Sequence, residues 1–339
     1  MAPYQLFVGV DIAATTATVS WRSSDGRPTR AFTIDQTVQG YTTLQQRLLA
    51  TGHAPAVILA VLEATGTYWV TLATTLAQAG FAVSVINPAQ AHAFATALLK
   101  RAKTDAIDAQ TLAELGARLQ PTPWTPPPAI YAELSQRLAQ RDALVALRIQ
   151  VRNQHHALIQ LPVVIASVRD RMDTRIQTLT DQIVAVEAEL APTIEQDAAW
   201  AAAAARLQTI TGVGLLTASW LLVTTLNFTL CPTPEAATSY AGLAPHPRQS
   251  GTSVRGRTAI GHAGNARLRR ALYLATLSAA QHNPVIHVFY SRLRAAGKPP
   301  KVARCAAARK LLHIAWAVVT KDQDFDPAYA AEAAVVGAA

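Results

Sequence analysis

Cysteine is nearly absent from this chain. Only Cys231 and Cys305 occur among 339 residues, and neither belongs to a C-x-x-C pair. That excludes a disulfide framework and a cysteine-based zinc site. Long apolar runs are missing as well: half of the residues are hydrophobic, ample for buried cores, yet no stretch reaches the roughly 18 uninterrupted apolar residues of a membrane span. Ile210 to Leu226 is broken by glycines and threonines, and Ala198 to Ala205 is an alanine-rich run. The start, Met1-Ala-Pro-Tyr-Gln, places no basic segment ahead of an apolar one. No secretory signal is read there, and a cytoplasmic location without a membrane partner is expected.

Negative charge is absent from one long interval. No Asp or Glu occurs between Glu235 and Asp322, while 14 Lys and Arg do, in a chain of formal net charge +9. Such a block repels itself unless it faces a polyanion, and a phosphate backbone is the usual one. A basic surface that serves only solubility is the plainer alternative.

The length suits two domains and a connector rather than one core. Tyr4 to Ile12 is an apolar run ending near an acid, Thr15 to Arg22 alternates with period two, and Arg30 to Ile34 supplies a third strand. A helix is expected over Gly40 to Ala50, a buried strand over Ala56 to Glu63, a helix over Trp69 to Ala79 and a strand over Ala82 to Ile86. Three strands followed by alternating helices and strands predict a mixed sheet covered by helices, the order of an α/β RNase H-like domain.

Within that order Asp11 and Glu63 fall at strand ends and can emerge at neighbouring points of one sheet edge. Asp105 and Asp108 lie in Lys103-Thr-Asp-Ala-Ile-Asp-Ala, among good helix formers, and the i, i+3 spacing puts both on one helical face. Taken singly, each acid reads more plainly as a turn residue or a solvated helix face. Taken together, crowded carboxylates repel unless cations neutralise them, and hard oxygen ligands favour Mg²⁺ or Mn²⁺. Two such ions about 4 Å apart suit phosphodiester transfer. Glu114 is a weaker fifth candidate and is read as a surface acid.

Pro121 to Pro128 holds five prolines in eight residues and marks a boundary. Beyond it Ala132 to about Leu161 is long, polar and leucine-bearing. After Pro162, the residues Met172, Ile176, Leu179, Ile183, Val186 and Leu190 form a heptad seam. A coiled-coil connector is expected, whose partner is either the preceding helix or another subunit, with His155 and His156 at its surface. Gly212-Val-Gly ahead of an apolar helix suits either a phosphate held at a helix start or a tight structural turn. Gly251 to Thr258 approaches a P-loop, but Arg257 stands where lysine belongs and Pro245 to Gln249 offers no strand. The expected division is 1–127 for the acid-bearing domain, 128–204 for the connector, 205–330 for a mainly α-helical basic domain and 331–339 for a tail.

Several ordered motifs carry a resemblance: Val8-Gly-Val-Asp11-Ile, Leu62-Glu63-Ala-Thr-Gly, Lys103-Thr-Asp105-Ala-Ile-Asp108-Ala, Gly212-Val-Gly, Ala241-Gly-Leu-Ala-Pro, Gln249-Ser250-Gly251, Gly264-Asn-Ala-Arg-Leu-Arg-Arg and Ala308-Arg-Lys-Leu-Leu. Through them nearly the whole chain resembles the DEDD-type insertion-sequence transposases, relatives of the Piv/MooV DNA invertases described as bridge-RNA-guided recombinases. The resemblance implies a RuvC-like N-terminal domain with Asp11, Glu63, Asp105 and Asp108 as metal ligands, and a catalytic serine at Ser250. It further implies composite active sites from different subunits of a dimer that assembles to a tetramer, and a noncoding RNA that pairs with donor and target double-stranded DNA. Ala244, where an acid is frequent, and His262, where lysine is common, depart from the pattern but touch none of those five positions.

Without the resemblance Ser250 is a serine in a flexible loop with Ser253 and Ser239 as rivals. Arg248, Arg255 and Arg257 beside it are expected to hold phosphate, as are Arg267, Arg269, Arg270, Lys298 and Lys301 in the basic motifs. Two other functions compete with a transposase: a structure-selective Mg²⁺-dependent nuclease of the Holliday-junction type, using the acids alone, and a non-catalytic nucleic-acid binder.

Overall fold

The computed structural model describes residues 4–100, 102, 104–250, 254–260 and 264–328, with the backbone alone over 246–250 and 254–259. The chain forms two compact units, Met1–Pro126 and Pro127–Ala339.

In the first unit β1 (Leu6–Ile12), β2 (Thr16–Ser23), β3 (Phe32–Asp35), β4 (Ile58–Glu63) and β5 (Ala82–Ile86) form one sheet of order β3-β2-β1-β4-β5. β1 runs antiparallel to β2 and parallel to β4, which is parallel to β5. β1 and β4 are apolar almost throughout because both faces of the central strands are covered. One face packs Val8, Val10, Ile58 and Leu62 against α1 (Val38–Leu49) and α2 (Trp69–Gln78). The other packs Phe7, Leu59 and Val61 against α3 (Pro88–Ala97) and α4 (Asp105–Leu119).

Every strand and helix expected up to Ile86 is present. α3 has no counterpart in the expected elements, because its small residues bury only Ala91 and carry little periodicity. The proline-rich stretch does not simply leave the unit: Ser84 donates to the carbonyls of Pro121 and Thr122, and Trp124 packs edge-on to Trp69 at 5.4 Å.

The second unit opens with α5 (Ala129–Leu158) and α6 (Ala166–Ala188), which pack as an antiparallel hairpin. Arg137 pairs with Glu189 and Arg141 with Glu187, Arg148 donates to Thr180, and His155 Nε2 lies 3.2 Å from an Asp173 carboxylate oxygen. The partner of the heptad seam is therefore the preceding helix of the same chain. Ile183, Val186 and Leu190 are its buried residues, and His155 lies half-buried in the seam rather than at the surface.

Beyond the hairpin come α7 (Leu190–Ile194), α8 (Ala198–Thr209), α9 (Leu215–Thr225), α10 (Pro234–Tyr240), α11 (Ala266–His282), α12 (Pro284–Ala295) and α13 (Pro300–Thr320), around one core that includes Leu221, Leu272 and Leu311.

Gly212 adopts φ +99°, and a Cβ there would lie 2.7 Å from Ala279 Cβ, so this glycine lets the α8–α9 turn press against α11. The expectation of no strand at 245–249 is also overturned: β6 (Pro245–Ser250) is a strand, paired antiparallel with β7 (Val254–Ile260). A two-stranded ribbon has two edges, where prolines that cannot donate are tolerated, and a register shift between His246 and Arg248 takes up the irregularity. β6 is followed by its antiparallel partner β7 rather than by the helix that a P-loop needs.

Candidate active site

Parallel register sets the first two acids side by side. Val10 pairs with Leu62, so Asp11 and Glu63 follow at adjacent strand ends, both half-buried. Thr65 Oγ1 donates to Glu63 Oε1 at 2.9 Å and fixes one carboxylate oxygen. Asp105 and Asp108 arrive on the first turn of α4, which Thr104 caps by accepting from the Ile107 amide. Acids at a helix N-terminus are favoured by its partial positive charge. Asp105 is exposed and Asp108 half-buried.

α4 can bring them there because small residues face the sheet. A Cβ at Gly9 would collide with the Ala109 carbonyl oxygen, and one at Gly116 would stand 2.9 Å from Val61.

All four acids line one cavity of about 730 Å³, together with Thr16, Thr18, Thr65, His92, Lys100 and Thr111 among others. The structure thus gathers residues that are 97 positions apart at the extremes, Asp11 and Asp108. Among the described residues no three His, Cys, Asp or Glu are close enough together to enclose a metal ion. The donor set nevertheless fits a hard divalent cation by its chemistry, since all four side chains offer carboxylate oxygen to the same cavity. A second cavity, of about 700 Å³, lies in the helical unit between α12, α13 and the chain after them, and holds none of the expected site residues.

Glu114 is not a solvated surface acid. Its side chain is 17% exposed and meets Arg118 at 2.7 Å, Lys100 at 3.4 Å and Arg22 at 4.0 Å. Burial alone would raise its carboxyl, but the hydrogen bonds and charges of Arg118 and Lys100 outweigh burial and hold it below the usual carboxylate range. Thr65, Lys100 and Thr111 were not among the expected site residues. For Thr65 a signal existed, its place two positions after Glu63.

Ser250 closes β6, where its backbone pairs with Val254. The side chains of Arg248, Ser250, Arg255 and Arg257 lie outside the described residues. Arg267 pairs with Asp142 on α5 and stacks over Trp220 at 4.0 Å. Burial, with Arg270 and Arg141 nearby, brings its pKa down to about 10. Arg269 donates to the Ala241 carbonyl at 3.0 Å. Arg270, Lys298 and Lys301 are exposed.

A mixed sheet with acids at the ends of β1 and β4, joined in one chain to a basic helical unit, defines a RuvC-like domain in a DNA-processing enzyme. Residues 8–162 match the IS110-type DEDD domain described as "Transposase", and residues 204–291 match "Transposase IS116/IS110/IS902 family". The chain belongs to this family of insertion-sequence transposases, enzymes that cut and rejoin DNA. It is similar to the pilin gene-inverting protein of Moraxella bovis, at 32% identity over 94% of this chain and 97% of that protein. The counterpart from Moraxella lacunata is 31% identical over the same shares. A transposase for insertion sequence element IS1328 of Yersinia enterocolitica is 28% identical over 80% of this chain and 86% of the relative. No helix among the described residues is long and apolar enough to cross a membrane.

Proposed function

We propose that this transposase joins donor and target DNA under the direction of a noncoding RNA encoded by its element, with Asp11, Glu63, Asp105 and Asp108 holding Mg²⁺ or Mn²⁺ and Ser250 as the protein nucleophile. The observation that carries the metal-binding part is the shared cavity of the four carboxylates. A divalent ion bound there supplies positive charge that stabilises phosphodiester cleavage. Thr65 keeps Glu63 aimed inward, and the α4 N-terminus favours the charge on Asp105 and Asp108.

Ser250 Oγ forms a bond to phosphorus as one strand oxygen leaves, and a hydroxyl of the second strand later displaces the serine. The motif around Ser250 supports that role, and the cationic neighbours in sequence, Arg248, Arg255 and Arg257, would stabilise charge as the weak hydroxyl reacts.

The work divides along the chain as an acid domain at 1–127, a connector at 128–204, a basic domain at 205–330 and a tail, acting in the cytosol and nucleoid where DNA lies. A homo-oligomer, dimer to tetramer, fits the tip of the α5–α6 hairpin, where Ile159, Leu161, Val163 and Ile165 are 43–79% exposed.

Asp11→Asn or Asp105→Asn should abolish Mg²⁺-dependent cleavage while leaving RNA binding intact, because an amide cannot hold the cation and the basic surface is unchanged. Cleavage at wild-type rate by either variant removes these residues from the site.

A further inference from the structure

A phosphodiester approaching four carboxylates meets like charge, and a cation on the cavity wall would favour its approach. Among the described residues lining it, Lys100 is the one lysine or arginine. It follows α3 in a tight helix end, where the Lys100 amide donates to the Ala95 carbonyl and the Leu99 amide to that of Thr96. Leu99 takes φ +55° there, a left-handed conformation unfavourable for leucine, and the residue is 84% exposed. The chain thus accepts strain that no burial of Leu99 repays, and the turn delivers Lys100 to the cavity wall.

The ammonium donates to Thr111 Oγ1 at 3.0 Å and lies 3.4 Å from Glu114 Oε2. Arg118 and Arg22 also face that carboxylate, so Lys100 is not its sole partner. Of the three cations around Glu114, Lys100 is the one that also lines the cavity. Lysine has three donors on a flexible stem, so one remains for a further acceptor while Thr111 and Glu114 orient the group.

We propose that Lys100 binds the DNA phosphate entering this cavity, donating to a non-bridging oxygen, and that Glu114 and Thr111 position it. The proposal rests on the reading of the carboxylate cavity as the cleavage site.

The test uses the full chain with its RNA and a duplex DNA substrate, comparing Lys100→Ala, Lys100→Arg, Glu114→Gln and Asp11→Asn. Binding is followed across salt concentrations in Ca²⁺, cleavage in Mg²⁺, and folding by thermal unfolding. Lys100→Ala should bind DNA about 10-fold more weakly, and the slope of log affinity against log salt should become shallower by about 0.9, the value for one lost phosphate contact. Lys100→Arg should restore the slope, and Glu114→Gln should keep it, because its lysine remains.

If Lys100 serves only to pair Glu114, then Lys100→Ala and Glu114→Gln will lose stability alike and neither will change the slope; that result overturns the proposal. So does wild-type cleavage by Lys100→Ala beside an inactive Asp11→Asn. An Asp11→Asn variant that still cuts would instead defeat the reading of the cavity itself. Should Lys100→Ala fail to fold, Lys100→Gln takes its place, and a salt slope and DNA affinity equal to wild type in that folded variant contradict the assignment.

Discussion

Gly9 of β1 lies directly against the backbone of Ala109 in α4, with no room for a Cβ between them. This contact brings the helix carrying Asp105 and Asp108 down onto the strand that ends in Asp11. Gly9→Ala forces strand and helix apart, and overpacking of this kind costs about 1–3 kcal/mol. Thermal unfolding of the variant should show that loss, and Mg²⁺-dependent cleavage should fall further than stability alone explains. An unchanged melting temperature would show that α4 is not seated on β1.

Glu114 makes the stability of the first unit depend on acid. Its carboxyl is held below the ordinary value of 4.5 by Arg118 and Lys100 despite partial burial. A carboxyl lowered on folding contributes stability in full above its unfolded value and loses it as pH falls through the folded one. Glu114→Gln should therefore flatten the decline in stability below about pH 4.5 and cost about 1 kcal/mol at neutral pH. Chemical denaturation at a series of pH values measures both, and parallel acid limbs for the two proteins would contradict the assignment.

The acidic cavity was legible because its acids sit where element boundaries are strongly marked. Apolar runs ending at Asp11 and Glu63 fix two strands, and the i, i+3 pair Asp105 and Asp108 opens a helix that Thr104 caps. Lys100 was not legible, since it lies at the end of a helix with almost no apolar periodicity and gains meaning only through Thr111 and Glu114, 11 and 14 positions on. Glu114 was not legible for the same reason: Arg22 on β2 and Lys100 after α3 meet it from other elements. β6 was missed because prolines at 245 and 247 argue against a strand unless that strand is an edge. Arg267 reads as one more cation of a basic motif, and only the fold shows it joined to Asp142 and Trp220.

The acid-free interval from 236 to 321 predicts a steep response of nucleic-acid binding to salt. Exposed Arg270, Lys298 and Lys301 are among the groups that would release counterions. If six to ten phosphates are neutralised, affinity falls by roughly 10³ to 10⁵ between about 50 and 200 mM salt. Titrations at those two concentrations suffice, and affinity that barely moves would mean the block faces something other than phosphate.

Cutting and rejoining through a protein nucleophile differs from hydrolysis by leaving the protein joined to DNA for part of the reaction. The most direct measurement incubates the protein with Mg²⁺, its RNA and cognate DNA, denatures the mixture and separates any DNA carried by the protein chain. A phosphoserine adduct should form with the wild type and with Ser253→Ala, and should vanish, together with recombination, in Ser250→Ala while RNA binding and fold persist. An adduct that survives in Ser250→Ala and is lost in Ser253→Ala, or free nicks with no adduct in the wild type, would contradict the account.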